Sequence, residues 1–137
     1  ALSNIHGLVA MGANVALCGP PTMMPRFIDK LGVRVFSNID EALAFSDAIN
    51  VLRIQLERKA GNTFPTLREY SMTFGITRDR LDRLGRSITV LHPGPINRGV
   101  EIDSDVADGP ESVILPQVTH GVAVRMAVLY LLGTKSE

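Results

Sequence analysis

Short apolar runs alternate with amphipathic stretches along this chain, and that alternation sets the fold class. Val15-Ala16-Leu17-Cys18, Arg34-Val35-Phe36, Ala48-Ile49-Asn50-Val51-Leu52 and Ile88-Thr89-Val90-Leu91 are brief and bounded by Gly, Pro or polar clusters, so each reads as a strand. Between them, Asn4 to Met11 carries Ile5, Leu8 and Val9 at helical spacing, with Ser3 as N-cap and Gly12 as stop. Pro25 to Leu31 reads as a helix with proline in its first turn. Asp40 caps a helix through Phe45 that turns Ala42, Leu43 and Phe45 inward. Leu67 to Phe74 and Thr77 to Leu84 are two short helices. The arginines of the second, Arg78, Arg80 and Arg83, read with Asp79 and Asp82 as a solvated face. A strongly apolar helix over 112–132 closes the chain, with Pro116 tolerable only in its first turn.

Strands alternating with helices predict an α/β fold, a parallel sheet with helices on both faces. The chain opens on a helix, whereas this Rossmann-like architecture begins with a strand that becomes central. The expectation is a segment of a longer chain, with its first strand missing.

Composition narrows the function classes. The 137 residues fit one domain over 1–137, with 14 basic and 14 acidic side chains and no net charge. No electrostatic footprint for nucleic acid or an anionic membrane follows. No apolar run looks long enough to span a bilayer, and the N-terminus lacks the parts of a signal peptide. The single cysteine, Cys18, excludes an internal disulfide and suits a reducing, cytoplasmic setting.

Three strand ends carry candidate chemistry, and in an open parallel sheet ligands collect beyond them. Gly19-Pro20-Pro21 lacks the N–H groups of a pyrophosphate cradle, so a dinucleotide cofactor is not expected. After the third strand, Arg53 and Gln55 fall on one side of an extended chain. A guanidinium there matches a carboxylate or phosphate in two parallel bonds. A structural ion pair of Arg53 with Asp47, Glu57 or Glu69 is the competing reading. After the fourth strand comes His92-Pro93-Gly94-Pro95, which must turn sharply and leaves carbonyls without ladder partners. It is either a rigid turn or a ligand-holding one, and His92 either a structural residue or a base. His6 and His120 lie in helical segments, and no His, Cys or carboxylate cluster has metal-ligand spacing, so no metal is expected.

Two segments together carry a resemblance. Asn50 to Arg58 and Leu91 to Ile102, continued by Asp105 to Gly109 and Gln117 to Leu129, resemble the catalytic chains of bacterial aspartate carbamoyltransferases. The opening Ser3-Asn4-Ile5-His6-Gly7-Leu8 fits as well, and the resemblance covers essentially the whole chain as the second, aspartate-binding domain. It implies transfer of the carbamoyl group of carbamoyl phosphate to L-aspartate, an early step of pyrimidine synthesis, without metal or organic cofactor. Carried over by position, Arg53 grips the aspartate side-chain carboxylate and Gln55 lies beside the substrates. The backbone of Pro93, Gly94 and Pro95 receives the carbamoyl NH2 through carbonyls aimed by a cis Gly94-Pro95 bond. His92 opens the motif and is counted with Gln55 as catalytic, and Arg58 through Tyr70 corresponds to a loop that closes over aspartate. The related ornithine enzymes carry cysteine after the histidine, where this chain has Pro93. The family's Ser-Thr-Arg-Thr and His-Pro-Thr-Gln motifs do not occur here. The resemblance therefore implies a homotrimer with a separate carbamoyl-phosphate domain against which the last helix packs, and regulatory or dihydroorotase chains as further partners. It also implies that the 137 residues alone are inactive. A carbamoyltransferase for another amino acid, such as ornithine, and a non-catalytic structural paralogue are the alternatives.

Overall fold

Strand β1 (Ala16–Cys18) lies parallel to β2 (Arg34–Phe36), and β3 (Ala48–Asn50) lies parallel to β4 (Thr89–Leu91), in a computed structural model that describes residues 2–54 and 66–134. The parallel α/β class expected from the pattern is therefore present. It takes the form of two strand pairs among the described residues, rather than one continuous sheet. A cavity of about 200 Å3 separates them, lined by Ala16, Leu17 and Cys18 on one wall and Ala48, Ile49 and Asn50 on the other. Parallel strands are normally buried on both faces. Here β1 is half-buried, and Ala48 and Asn50 of β3 are exposed.

The core collects around β4. Val90 is fully buried with Leu43, Ile76, Leu81, Ile88, Ile102, Val106 and Ile114 in one cluster. The segment after Gly109 closes the other edge of β4, with Val90 N–H donating to the Glu111 carbonyl (2.9 Å) and Val113 N–H to the Val90 carbonyl (2.9 Å). Helix α1 (Leu2–Ala10) contributes only Ile5 to a smaller cluster with Ile28 and Val33. Its first residue precedes Ser3, which is thus inside the helix rather than its cap, and Gly12 ends it at φ +81°.

Capping chemistry sets the middle helices. In α2 (Ile39–Phe45) the cap is Asn38, whose side chain accepts from Asp40 N–H at 2.9 Å, so Asp40 is in the first turn. Ala42 and Leu43 are buried, while Phe45 is half-buried against Phe36. Helix α3 (Leu67–Phe74) starts at Thr66, which accepts from Glu69 N–H at 3.1 Å, and α4 (Arg78–Arg83) starts at Thr77 in the same way. The arginines of α4 do more than coat a solvated face. Arg78 spans to Glu111 (3.1 Å) and the Asp105 carbonyl (3.1 Å), and Arg80 donates to the Met72 and Thr73 carbonyls that end α3. Those last carbonyls have no partner within their own helix, which is what makes them acceptors.

The expected helix over Pro25–Leu31 is absent. Two 3-10 turns, Pro21–Met23 and Ile28–Leu31, take its place, parted by Phe27 at φ 63°. Ile28 is the only buried anchor in these turns, and a single anchor does not offset the cost of nucleating a regular helix. A one-turn helix, α5 (Ser104–Ala107), buries Val106 and Ala107 where no element was expected.

Helix α6 (Ile114–Gly133) has Pro116 in its first turn, as expected, and buries only Ile114. Leu115, Val122, Val124, Met126, Leu129, Leu131 and Leu132 are all exposed. By length and composition α6 could cross a membrane, which corrects the expectation that no apolar stretch suffices. Uninterrupted apolar runs within it are short, yet the helix as a whole is apolar enough. Arg125 near its middle would cost about 2.5–3.5 kcal/mol in hydrocarbon.

Candidate active site at the ends of β3 and β4

Parallel pairing brings two of the three candidate strand ends to one place. The ladder sets Asn50 opposite Leu91 and extends one step further through Val51 N–H to the Leu91 carbonyl (2.8 Å). The chains therefore leave the sheet side by side, one into Arg53 and the other into His92. Past the ladder, Ile54 is buried and Arg53 half-buried, the alternation expected of an extended segment. Gln55 lies outside the described residues, as does 58–65 of the expected closing loop. The Gly19-Pro20-Pro21 end belongs to the other strand pair, where Gly19 N–H follows β2 by donating to the Phe36 carbonyl (3.3 Å).

The His92 turn contains the cis bond that the resemblance implied. Gly94–Pro95 is a cis peptide and Gly94 has φ +66°, a conformation for which glycine has no Cβ penalty. Pro93, Gly94 and Pro95 are exposed, and no backbone N–H among the described residues donates to their carbonyls. Gly94 N–H donates to His92 Nδ1 at 2.8 Å. A trans peptide is planar with its N–H and C=O opposed, so drawing Gly94 N–H inward turns the Pro93 carbonyl outward. The turn thus presents acceptors, suited to a ligand NH2.

His92 itself faces inward. It is 0 % exposed, and its backbone N–H donates to Gln117 Oε1 at 3.0 Å. Because Nδ1 accepts from Gly94, the ring proton is assigned to Nε2, which donates to Glu101 Oε1 at 3.2 Å. Both ring nitrogens are therefore engaged within the protein. In this structure the ring has no exposed surface, and its bonds to Gly94 and Glu101 orient the turn. Glu101, 1 % exposed, also accepts from Asn97 N–H (2.7 Å) and Asn97 Nδ2 (3.2 Å). Asn97 Nδ2 reaches the Ile54 carbonyl as well, at 3.0 Å.

Asn97, Glu101 and Gln117 are the residues that reading the sequence for chemistry missed. The available signal was a carboxylate set between Val100 and Ile102, where an apolar pair brackets a charge that must then find donors. Nearby charges are otherwise committed. Arg98 forms a two-pronged pair with Asp108 (2.6 and 2.9 Å), and the hydrogen bond from Arg98 holds the Asp108 carboxyl below its ordinary range. Burial first, then the charge of Glu101, pushes the Tyr70 phenol up to about 12, leaving it uncharged at working pH. Among the described residues no three His, Cys, Asp or Glu side chains gather as a metal site.

The domain is a parallel α/β fold that carries a half-buried arginine on the segment leaving β3 and an exposed carbonyl turn on the segment leaving β4. Comparison with known proteins gives it a family. Residues 1–132 match the model of the aspartate/ornithine carbamoyltransferase Asp/Orn-binding domain, and the chain belongs to that family. It is 59% identical over 138 residues to the aspartate carbamoyltransferase catalytic subunit of Gemmatimonas aurantiaca, covering 100% of this chain and 43% of that one. It is 58% identical to the corresponding subunit of Cytophaga hutchinsonii, covering 97% of this chain and 43% of that one. The chain thus spans less than half the length of these relatives. Among solved structures, aspartate transcarbamoylase from Trypanosoma cruzi with carbamoyl aspartate and phosphate superposes with a TM-score of 0.69 at 26% identity, over 92% of this chain and 44% of that one. Ornithine carbamoyltransferase from Thermus thermophilus gives 0.77 at 20% identity, over 96% and 44%, and shows the shared fold.

Proposed function

We propose that this chain is the aspartate-binding part of an aspartate carbamoyltransferase. The α-amino nitrogen of L-aspartate attacks the carbonyl carbon of carbamoyl phosphate. A C–N bond forms, the C–O bond to phosphate breaks, and the nitrogen releases one proton. N-carbamoyl-L-aspartate and phosphate leave. Arg53 holds the side-chain carboxylate of aspartate, where a charge-assisted fork is worth more than a neutral bond, and Gln55 lies beside the substrates. The carbonyls of the Pro93-Gly94-Pro95 turn accept from the carbamoyl NH2, and His92 fixes that turn from within. Phosphate contacts come from a second domain that α6 covers, within a homotrimer in the cytoplasm to which regulatory or dihydroorotase chains can attach. The 137 residues alone are inactive on this reading, because one wall of the site is not theirs.

The observation that carries the reading is the exit of Arg53 and the exposed cis turn at the same sheet end. Aspartate is favoured over ornithine because relatives at 54–59% identity are named aspartate carbamoyltransferase catalytic subunits, and because an arginine repels an ammonium side chain. In the full-length enzyme, Arg53→Ala should raise the KM for aspartate about thirtyfold or more, the worth of a charged hydrogen-bonded pair. An unchanged aspartate KM would remove Arg53 from the site and favour a structural role.

A further inference from the structure

The buried polar chain behind the site runs without a break from one strand end to the other. The Ile54 carbonyl, in the residue next to Arg53, accepts from Asn97 Nδ2 (3.0 Å). Asn97 donates twice to Glu101 (2.7 and 3.2 Å), Glu101 accepts from His92 Nε2 (3.2 Å), and His92 accepts from Gly94 N–H (2.8 Å). Its two termini are backbone atoms, on the segment carrying Arg53 and in the peptide that aims the Pro93 carbonyl. Glu101 and His92 are buried in the middle of it, so bulk solvent does not reach the carboxylate to replace a lost donor. Asn97 is the only link from this network to Ile54 among the described residues.

We propose that Asn97 and Glu101 are positioning residues that hold the aspartate-gripping strand end and the carbamoyl-holding turn in one fixed relation. The proposal rests on the reading of Arg53 and the His92 turn as the two binding elements. Asn97 sets the position of the guanidinium through Ile54. Glu101 keeps the His92 proton on Nε2, which leaves Nδ1 free to accept from Gly94. Neither side chain touches substrate. A displacement of about 1 Å at either end suffices to cost a hundredfold in a reaction that depends on alignment.

A kinetic cycle in the full-length enzyme tests this. Asn97→Ala should raise the aspartate KM about tenfold with kcat changed less than threefold. Glu101→Gln, which offers an NH2 where the carboxylate accepts, should instead lower kcat about tenfold. In an Arg53→Ala background, Asn97→Ala should add less than twofold, because the residue it positions is gone. A purely structural role for Asn97 would give losses that multiply, and that result overturns the proposal. If Asn97→Ala does not fold, Asn97→Ser, which keeps a shorter donor, enters the same cycle with the same two outcomes. Wild-type protein that forms no carbamoyl-aspartate would instead sink the functional reading beneath it, so the two failures are distinct.

Discussion

Replacing Asn97 by aspartate is the sharpest way to test whether Glu101 is the buried acceptor this structure makes it. Asn97→Asp keeps size and shape, but substitutes an oxygen for the Nδ2 that lies 3.2 Å from Glu101 Oε2 and 3.0 Å from the Ile54 carbonyl. Two carboxylates at 3.2 Å repel by about 5 kcal/mol at an effective dielectric constant of 20. The alternative is that the new carboxyl keeps its proton. Holding a group of ordinary pKa about 3.9 neutral at pH 8 costs about 5–6 kcal/mol, and at pH 5 about 1.5 kcal/mol. Both routes give a similar loss at pH 8. The sign follows from linkage: the folded state raises the pKa of the new carboxyl, so the penalty is absent below its unfolded value and grows as pH rises toward the folded one. Thermal unfolding of the full-length protein at pH 5 and pH 8 reads the effect. Asn97→Asp should melt on the order of 10 °C below wild type at pH 8 and recover most of that at pH 5. Asn97→Ala, which loses a donor without adding charge, should show an offset of about 1–3 kcal/mol that changes far less between pH 5 and pH 8. A pH-independent offset for Asn97→Asp would refute the claim that its side chain faces a buried carboxylate.

Two further predictions rest on other parts of the fold. Gly75 lies at φ −62°, so alanine there meets no backbone strain, but its Cβ would overlap the Ser71 carbonyl oxygen and crowd that of Val100 at 3.1 Å. Gly75→Ala should therefore destabilise by about 1–3 kcal/mol in a urea titration, and an unchanged midpoint would show that Gly75 does not pack this closely on the Ser71 and Val100 carbonyls. Burial pushes the Cys18 thiol up from 9.0 to about 11, against a smaller lowering by Arg80. At pH 8 this cuts the thiolate about a hundredfold, and the greater nucleophilicity of a more basic thiolate returns about tenfold. Iodoacetamide should thus label Cys18 about tenfold more slowly than a free thiol, and labelling at the free rate would contradict its half-buried place in the cavity beside β1.

What the sequence disclosed was the part of the fold written in local chemistry. The strand end at Leu91 was legible because the apolar run stops against His92 and Pro93-Gly94-Pro95, whereas β3 ends at Asn50, two residues before its apolar run does. The exposed apolar surface of α6 was legible too, since Val122, Val124, Met126 and Leu129 cannot share one face. The network behind the site was not. Asn97 and Glu101 look like ordinary loop polarity until the fold brings the Ile54 carbonyl, 43 positions away, within 3.0 Å of Asn97. For the same reason the sequence left His92 open between a structural residue and a base, whereas its donors and acceptors are internal here. The segment from Pro25 to Leu31 misled in the opposite direction: proline at its start suggested a helix, but tertiary burial reached only Ile28 there, and Phe27 turned left-handed. Arg80 read as a solvated charge because its partners are backbone carbonyls, which no residue pattern displays.

The central claim is that this domain selects aspartate as the carbamoyl acceptor. The most direct measurement gives the full-length protein labelled carbamoyl phosphate with equal concentrations of L-aspartate and L-ornithine, and identifies the labelled product. The account predicts carbamoyl-aspartate with one phosphate released per product and no citrulline. Citrulline as the main product, or no labelled product from either amino acid, would contradict it.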